Sequence, residues 1–269
     1  MASTGSAASA AGSAALSKPI DVDVVRAVLA SQPGMGFCDL NQFAAALSPD
    51  EQARADKYKI DGARDVFTLA RGLLRFELAM RLACEPRDIH FDVRPSGKPD
   101  LRTIHPGQPS RPDWRFSVSH TGRHVAIAFA LGVDVGIDIE DADRAINPLE
   151  IAKRYFADRE TRALAALVEG ERPRAFFAGW TRKEAIVKAR GSTMSGSLKT
   201  LNVEIDPAAR EPRFEDAGAP PDRRPCRLAS FEVAHDRLIG AVAILSSARP
   251  QLRFCVRTQQ EVRLAFDCL

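Results

Sequence analysis

One pattern occurs twice along the chain and constrains the fold more than any other feature: a helix followed by a β-hairpin. In the first copy, residues 65–83 carry apolar side chains at helical spacing, and residues 114–130 alternate as two strands around a turn. In the second copy, residues 177–189 have the helical pattern and residues 230–245 form the hairpin. Such units also recur by chance in α+β proteins. A true duplication predicts an α+β fold of two similar subdomains, related by a pseudo-twofold axis, with a ligand cleft between them.

The repeat divides the chain into four parts. Residues 1–17 are almost all Ala, Ser, Gly and Thr, which predicts a disordered leader. The first α+β half covers residues 18–135 and the second covers residues 136–248. Residues 249–269 form a tail of unknown role, whose strand-like alternation suits a strand that covers a sheet edge. Within the second half, the proline-rich residues 207–225 are predicted to form a surface loop.

Composition excludes several classes of protein. The 269 residues are 45% hydrophobic, which excludes a disordered chain. The longest apolar runs are far shorter than the ~20 residues of a membrane helix, and no secretory signal is apparent, so we expect a cytoplasmic protein without a membrane partner. Five cysteines without a C-x-x-C pair favour reduced thiols over disulfides or zinc. A net charge of +3 is too small to favour nucleic acid.

An acidic strand is the first candidate for chemistry. The sequence V-G-I-D-I-E places Asp138 and Glu140 on one face of a strand, with Ile137 and Ile139 on the other. Paired carboxylates repel each other unless a cation or solvent relieves them, and oxygen ligands suit Mg²⁺ or Mn²⁺. Gly136, on the same face, is expected to leave room for a ligand. The alternative is a strand end with solvated acids.

A second candidate lies on the helix of the second half. Trp180, Glu184 and Lys188 follow at intervals of four residues and share one face. The large indole suggests a partly buried face, on which Glu184 and Lys188 require a polar partner. The alternative is a surface ion pair that contributes little.

Further polar residues suggest an anion site. Ser119 and His120 lie at the end of the first hairpin, where a phosphate can be bound, although a polar corner or a catalytic Ser–His pair are alternatives. Lys98 follows a glycine in S-G-K-P, which is a turn rather than a phosphate loop. Upstream cations are weaker candidates, since each can equally be a solvated charge: Arg54, Lys57, Lys59, Arg64 and Arg71.

The order of these motifs is more specific than any one of them. The chain runs S-G-K-P, F-S-V-S-H-T-G, G-I-D-I-E and W-T-R-K-E-A-x-x-K. Over residues 47–244 it resembles the 4'-phosphopantetheinyl transferase superfamily, in its surfactin-synthetase-activating branch with both halves in one chain. The resemblance implies transfer of the phosphopantetheine arm of coenzyme A to a serine of an apo acyl or peptidyl carrier protein, with Mg²⁺ as cofactor and adenosine 3',5'-bisphosphate released. It also implies two α+β halves with the ligands in the cleft, and a monomer is expected.

The resemblance also implies roles for individual residues. Asp138, Glu140 and Glu184 would hold Mg²⁺, and Glu184 would take the proton of the serine, directly or through a water. Lys188 would neutralise or protonate the leaving bisphosphate. The implied coenzyme A contacts comprise Ser119 and His120 at the 3'-phosphate, Lys98 along the nucleotide, Lys183 and Lys188, Arg54, and Arg64. Arg64 stands in for an arginine that relatives carry where this chain has Val66.

Three rival functions remain open on the sequence alone. A non-catalytic module would keep the cleft to bind coenzyme A or a carrier protein. Such a module is expected to lose its acidic ligands, whereas this chain keeps all three. A different Mg²⁺ enzyme acting on nucleotides would turn over substrate without any carrier. A nucleic-acid binder would need an aromatic and basic platform, which this sequence lacks.

Overall fold

The computed structural model describes six segments of the chain: residues 18–29, 40–93, 97–102, 112–192, 198–220 and 223–257. The predicted leader lies outside them. The helices are α1 (Leu40–Ala46), α2 (Pro49–Ala55), α3 (Asp61–Leu82), α4 (Pro148–Tyr155), α5 (Asp158–Ala166) and α6 (Arg172–Arg190). The strands are β1 (Ile20–Val28), β2 (Phe91–Val93), β3 (Pro99–Leu101), β4 (Trp114–Thr121), β5 (His124–Leu131), β6 (Val135–Asp141), β7 (Leu201–Val203), β8 (Phe214–Asp216), β9 (Arg227–Val233), β10 (Leu238–Ile244) and β11 (Pro250–Val256). No helix in these segments has the length and apolar run of a membrane span.

The same topology occurs twice. In the first half β1 is followed by α3 and the hairpin β4–β5, and in the second half β6 is followed by α6 and the hairpin β9–β10. The second hairpin strand is central in both sheets, which have the strand orders β1-β5-β4 and β6-β10-β9. All of these neighbours are antiparallel. The predicted helix and hairpin units are therefore confirmed, and with them the α+β fold of two similar halves.

The two sheets pack face to face, and one long helix covers each outer face. Alternate side chains of β5 show this arrangement, because Ile127 and Phe129 pack against α3. Ala126 and Ala128 point the other way and contact the second sheet, where Ile137 of β6 is buried. Helix α6 packs on the far side of that second sheet. The layers therefore follow the order α3, first sheet, second sheet, α6.

The tail completes the first sheet. Strand β11 runs parallel to β1 and forms the edge of the four-stranded sheet β11-β1-β5-β4. Glu77 of α3 is fully buried and accepts hydrogen bonds from Arg81 and from Arg257, just after β11. The predicted strand character of the tail is thus confirmed over Pro250–Val256, and this strand belongs to the first half although it follows the second half in the chain.

One predicted loop contains regular structure. Within residues 207–225, strand β8 pairs with β7 in an antiparallel ladder of three residues. A strand of three residues is too short to show an alternation, so the prolines and charges around it hid it. The prediction of an uninterrupted surface loop is wrong in this respect.

Candidate active site

The candidate site lies at the edge of β6, between β4 of the first half and α6 of the second. Asp138 on β6 and Glu184 on α6 are buried, with 6% and 5% of their surfaces exposed. Glu140 and Lys188 are partly buried beside them. The second half therefore supplies three carboxylates and one ammonium to this site, beside strand β4 of the first half.

Gly136 allows α6 to lie directly on β6. A Cβ atom at this position would lie 2.0 Å from the carbonyl oxygen of Ala185 and 2.4 Å from the backbone nitrogen of Ala189. The expectation that Gly136 leaves room for a ligand is therefore wrong, because the helix backbone fills that space. The close contact places the next residues on this face, Asp138 of β6 and Glu184 of α6, side by side.

We expect Gly136→Ala to destabilise the protein. The added methyl would collide with two backbone atoms of α6, and backbone cannot rotate away as a side chain can. The loss of stability should therefore reach or exceed the upper end of the ~1–3 kcal/mol typical of overpacking. Urea unfolding measures the effect. Gly170→Ala is the matched control, because a Cβ at Gly170 meets no atom within 4 Å. Equal stability of the two variants would contradict the packing described here.

The carboxylate of Asp138 uses only one of its two oxygens. Lys188 Nζ donates to Asp138 Oδ1 over 2.7 Å, and Ser119 Oγ donates to the same oxygen over 2.8 Å. Oδ2 of Asp138 is buried and, among the described residues, accepts no hydrogen bond; the same holds for Oε1 of Glu184. Buried acceptor atoms without a partner are unusual, and these two oxygens are suited to bind a cation.

Like charges and burial make these carboxylates costly to ionise. Burial and the neighbouring Asp138 raise the pKa of Glu184 to about 7, although Lys188 opposes the shift. Burial and Asp138 also raise the pKa of Glu140, and Arg144 opposes this by an ion pair of 3.0 Å between Nη1 and Oε2. A divalent cation would relieve both the repulsion and the unpaired oxygens.

The residues fit a magnesium ion without forming a ready-made site. Within the described segments, no three Asp, Glu, His or Cys side chains are gathered closely enough to constitute a metal centre. The donor set is nevertheless all carboxylate, which suits Mg²⁺ or Mn²⁺. Because Asp138 raises the pKa of both Glu140 and Glu184, the three carboxylates lie in one region.

Ser119 and His120 are neighbours in the chain, but their side chains lie in different environments. Ser119 is buried and donates its only hydroxyl proton to Asp138, so in this structure it is not available for the predicted phosphate contact. The ring of His120 is exposed. Partial desolvation and the ammonium of Lys188 lower the pKa of His120, and Asp138 opposes them. His120 therefore lies near the site, and its contact with a phosphate stays a prediction.

Lys98 joins the two halves. Its Nζ donates to the backbone carbonyls of Val135, over 3.0 Å, and of Lys188, over 2.8 Å. A lysine near the last turn of a helix stabilises the partial negative charge there. The structure therefore places Lys98 beside the site as a link between β6 and α6, and its contact with a nucleotide is a prediction that no observation tests.

Lys183 does not lie at the site. Its side chain has 0% exposure, and its Nζ lies 2.6 Å from Oε2 of Glu160 on α5. The same Nζ donates to the backbone carbonyls of Leu198 and Leu201. The predicted phosphate contact of Lys183 is wrong, because an ammonium enclosed by a carboxylate and two carbonyls cannot reach a ligand. Burial lowers the pKa of Lys183 and raises that of Glu160.

The upstream cations form a separate group around the start of α3. Arg54 is exposed and stacks over the ring of Phe67, and Arg64 pairs with Asp61 over 2.8 Å. Arg71 is more buried, and its pKa is lowered by burial and by nearby arginines, including Arg54. Within the described part of the chain, no contact joins Arg54 or Arg64 to Asp138, Glu140 or Glu184, so the roles of the two arginines stay predictions.

Sequence comparisons assign both halves to the same family. A family model described as "4'-phosphopantetheinyl transferase superfamily" matches residues 134–239. A second model, described as "4'-phosphopantetheinyl transferase, N-terminal", matches residues 37–131. The first match contains all three carboxylates of the candidate site, and the second contains Ser119 and His120.

Individual relatives lead to the same family. HetI of Nostoc sp., named a 4'-phosphopantetheinyl transferase, is 35% identical over 64% of this chain and 70% of its own length. Sfp of Bacillus subtilis, which has the same name, is 30% identical over 71% of this chain and 80% of its own length. The slr0495 protein of Synechocystis sp. is 32% identical over 63% of this chain and 69% of its own length. The resemblance seen in the motifs is confirmed: the chain belongs to the 4'-phosphopantetheinyl transferase superfamily, and within that family of enzymes to the Sfp type.

Proposed function

We propose that this enzyme transfers the 4'-phosphopantetheine arm of coenzyme A to a serine hydroxyl of an apo acyl or peptidyl carrier protein, with Mg²⁺ as cofactor. The serine oxygen forms a bond to the phosphorus that carries the pantetheine arm, and the bond from that phosphorus to the bridging oxygen breaks. The serine gives up its proton, and adenosine 3',5'-bisphosphate is the leaving group.

Two buried and unpaired oxygens are the observation that carries this proposal. Oδ2 of Asp138 and Oε1 of Glu184 accept no hydrogen bond among the described residues, in a site where carboxylates repel one another. We assign Asp138, Glu140 and Glu184 as the residues that would hold Mg²⁺. When bound, Mg²⁺ neutralises charge on the pyrophosphate and on the leaving phosphate.

Glu184 is suited to accept the proton of the serine. Burial together with Asp138 raises the pKa of Glu184 to about 7 in the metal-free protein; a bound cation would lower this pKa again, so that the carboxylate would be ionised and able to accept a proton. Lys188 lies one helical turn further and contacts Asp138, and its ammonium is proposed to stabilise the charge that develops on the leaving phosphate.

Exposed basic residues beside the site and at the start of α3 are proposed to bind coenzyme A. His120 lies close enough to Lys188 for the ammonium to lower its pKa, and a phosphate beside the ring would raise that pKa again and favour the charged form. We retain Arg54 and Arg64 as contacts to the nucleotide, since both side chains are exposed. For Lys98 we propose a role in holding β6 and α6 together, through its bonds to the carbonyls of Val135 and Lys188.

Mass spectrometry of the carrier protein tests the reaction. We expect an apo carrier incubated with the enzyme, coenzyme A and Mg²⁺ to gain about 340 Da, the mass of the attached arm. A panel of fatty-acid, polyketide and nonribosomal-peptide carriers covers the substrate classes, and chelation of the metal should abolish the gain.

Two controls separate the parts of the proposal. A carrier whose acceptor serine is replaced by alanine should gain no mass. Absence of the gain with every carrier would contradict the transfer and favour a module that only binds. A mass gain that persists under chelation would contradict the requirement for Mg²⁺ but not the transfer itself.

A further inference from the structure

A row of hydroxyl groups joins the two halves beside the site. Strands β4 and β6 are edge strands of separate sheets, and every second residue of β4 from Ser117 onward faces the edge of β6. We call Ser117, Ser119 and Thr121 the hydroxyl row. Their oxygens accept hydrogen bonds from the backbone N–H groups of Ile137 at 3.1 Å, Ile139 at 3.2 Å and Asp141 at 3.4 Å. The row thus covers an edge that would otherwise carry unpaired donors.

Two members of the row also donate hydrogen bonds to carboxylates. Ser119 Oγ donates to Asp138 Oδ1 over 2.8 Å, and Thr121 Oγ1 donates to Glu140 Oε2 over 3.0 Å. A backbone N–H can only donate and a carboxylate can only accept, so both hydroxyl protons have a fixed direction. Ser117 occupies the same position opposite Ile137, but the residue before Ile137 is Gly136, which has no side chain to receive a bond.

We propose that Ser119 and Thr121 are positioning residues, through which strand β4 of the first half orients the cation-binding carboxylates of the second half. This inference rests on the function proposed above and adds a role for a strand that supplies no carboxylate to the site. The ligand of the carboxylates that these residues orient is a divalent cation.

The contacts orient both carboxylates, and on Asp138 they also determine which oxygen is left for the cation. On Asp138, Ser119 and Lys188 both bind Oδ1, so Oδ2 stays free of hydrogen bonds among the described residues. On Glu140, Thr121 holds Oε2, while Arg144 contacts both oxygens, Oε2 over 3.0 Å and Oε1 over 3.3 Å, so Thr121 fixes the orientation of this carboxylate without leaving one oxygen free. Loss of a partner that orients a metal ligand typically weakens metal affinity about 10- to 100-fold.

The row contains its own control, because all three hydroxyls cover a backbone N–H and only two hold a carboxylate. We would compare Ser117→Ala, Ser119→Ala and Thr121→Val, and add Thr121→Ser to restore the hydroxyl. Manganese is the probe: electron paramagnetic resonance counts free Mn²⁺ in a titration of the enzyme with saturating coenzyme A.

The expected result separates position from stability. All three hydroxyl deletions should lower the melting temperature, since each leaves one N–H without its partner, and Ser119→Ala and Thr121→Val should lower it further because each also removes a bond to a carboxylate. Ser119→Ala and Thr121→Val should weaken Mn²⁺ binding about tenfold or more, while Ser117→Ala should change it less than about twofold and Thr121→Ser should restore most of the loss. Equal Mn²⁺ affinities for Ser117→Ala and Thr121→Val, or no change in Thr121→Val, would overturn the proposal.

A metal-free measurement tests the row itself. Amide hydrogen exchange should accelerate at Ile139 in Ser119→Ala and at Asp141 in Thr121→Val, with coenzyme A and metal both absent. Unchanged exchange at these amides would also overturn the inference. Should the wild-type enzyme modify carriers while the variants bind Mn²⁺ alike, the inference fails and the proposed function stands. Wild-type enzyme that neither binds Mn²⁺ nor modifies a carrier overturns both.

Discussion

Glu184→Gln should lower the rate of phosphopantetheine transfer by about 10²- to 10³-fold and, at the same time, stabilise the metal-free protein. The amide keeps the size of the side chain but loses the charge that would bind a cation and the basicity that would take a proton. Stability should rise because the variant no longer carries a carboxylate that burial and Asp138 make costly to ionise. Single-turnover transfer and thermal unfolding without metal measure the two effects.

The gain in stability should depend on pH in a definite direction. Since the folded state raises the pKa of Glu184 to about 7, folding favours its protonated form, and this contribution is present at low pH and is lost as the pH rises through 7. Glu184→Gln should therefore exceed the wild type in stability above pH ~7 and match it below pH ~4. Glu150→Gln, at an exposed residue paired with Lys153, is the matched control and should change neither property. Full activity of Glu184→Gln would contradict the assigned site.

Lys183→Met should destabilise the protein by about 3–5 kcal/mol, the range for removing one partner of a buried ion pair. The ammonium has 0% exposure, and its loss leaves the carboxylate of Glu160 buried without a counter-charge. Glu160 would keep its bonds from the backbone N–H groups of Val203 and Ala157, which do not replace a full charge. Chemical unfolding measures the change.

Two further variants make this prediction specific. Lys183→Met combined with Glu160→Gln should recover part of the loss, because no charge then remains buried. Lys153→Met, at the exposed pair with Glu150, should change stability by less than about 0.5 kcal/mol. If Lys183→Met instead kept its stability and raised only the KM for coenzyme A, the rejected phosphate contact would be correct.

The sequence predicted the parts of the site that depend on local periodicity. The alternation of β6 placed Asp138 and Glu140 on one face, and the helical interval placed Glu184 and Lys188 on one stripe; both arrangements are present in the structure. Family membership added that the strand and the helix meet. These features need only the geometry of one element and a known order of motifs.

The remaining features depend on pairs that are distant in the chain. The partner of Lys183 is Glu160 on α5, a helix whose preceding residue is Ala157 and which therefore lacks the polar start signal that would have revealed it. The partner of Ser119 is 19 positions away in the other half, and no local pattern states that β4 faces the edge of β6. Lys183 and Ser119 lie within functional motifs and were therefore expected to contact a ligand. In the structure Lys183 stabilises the fold through Glu160, and Ser119 binds the carboxylate of Asp138.

The position of β11 has a consequence for the order in which this protein acquires its structure. Arg253 of β11 bonds to Asp23 of β1, a residue 230 positions earlier in the chain. During vectorial synthesis the first sheet therefore has an open edge until all of the second half, and then β11 itself, has left the ribosome. Contacts between such remote segments slow folding, because a long loop must close before they form. The first half is made first but completed last, so until β11 emerges the edge of β1 is open to pairing with other strands unless a chaperone covers it.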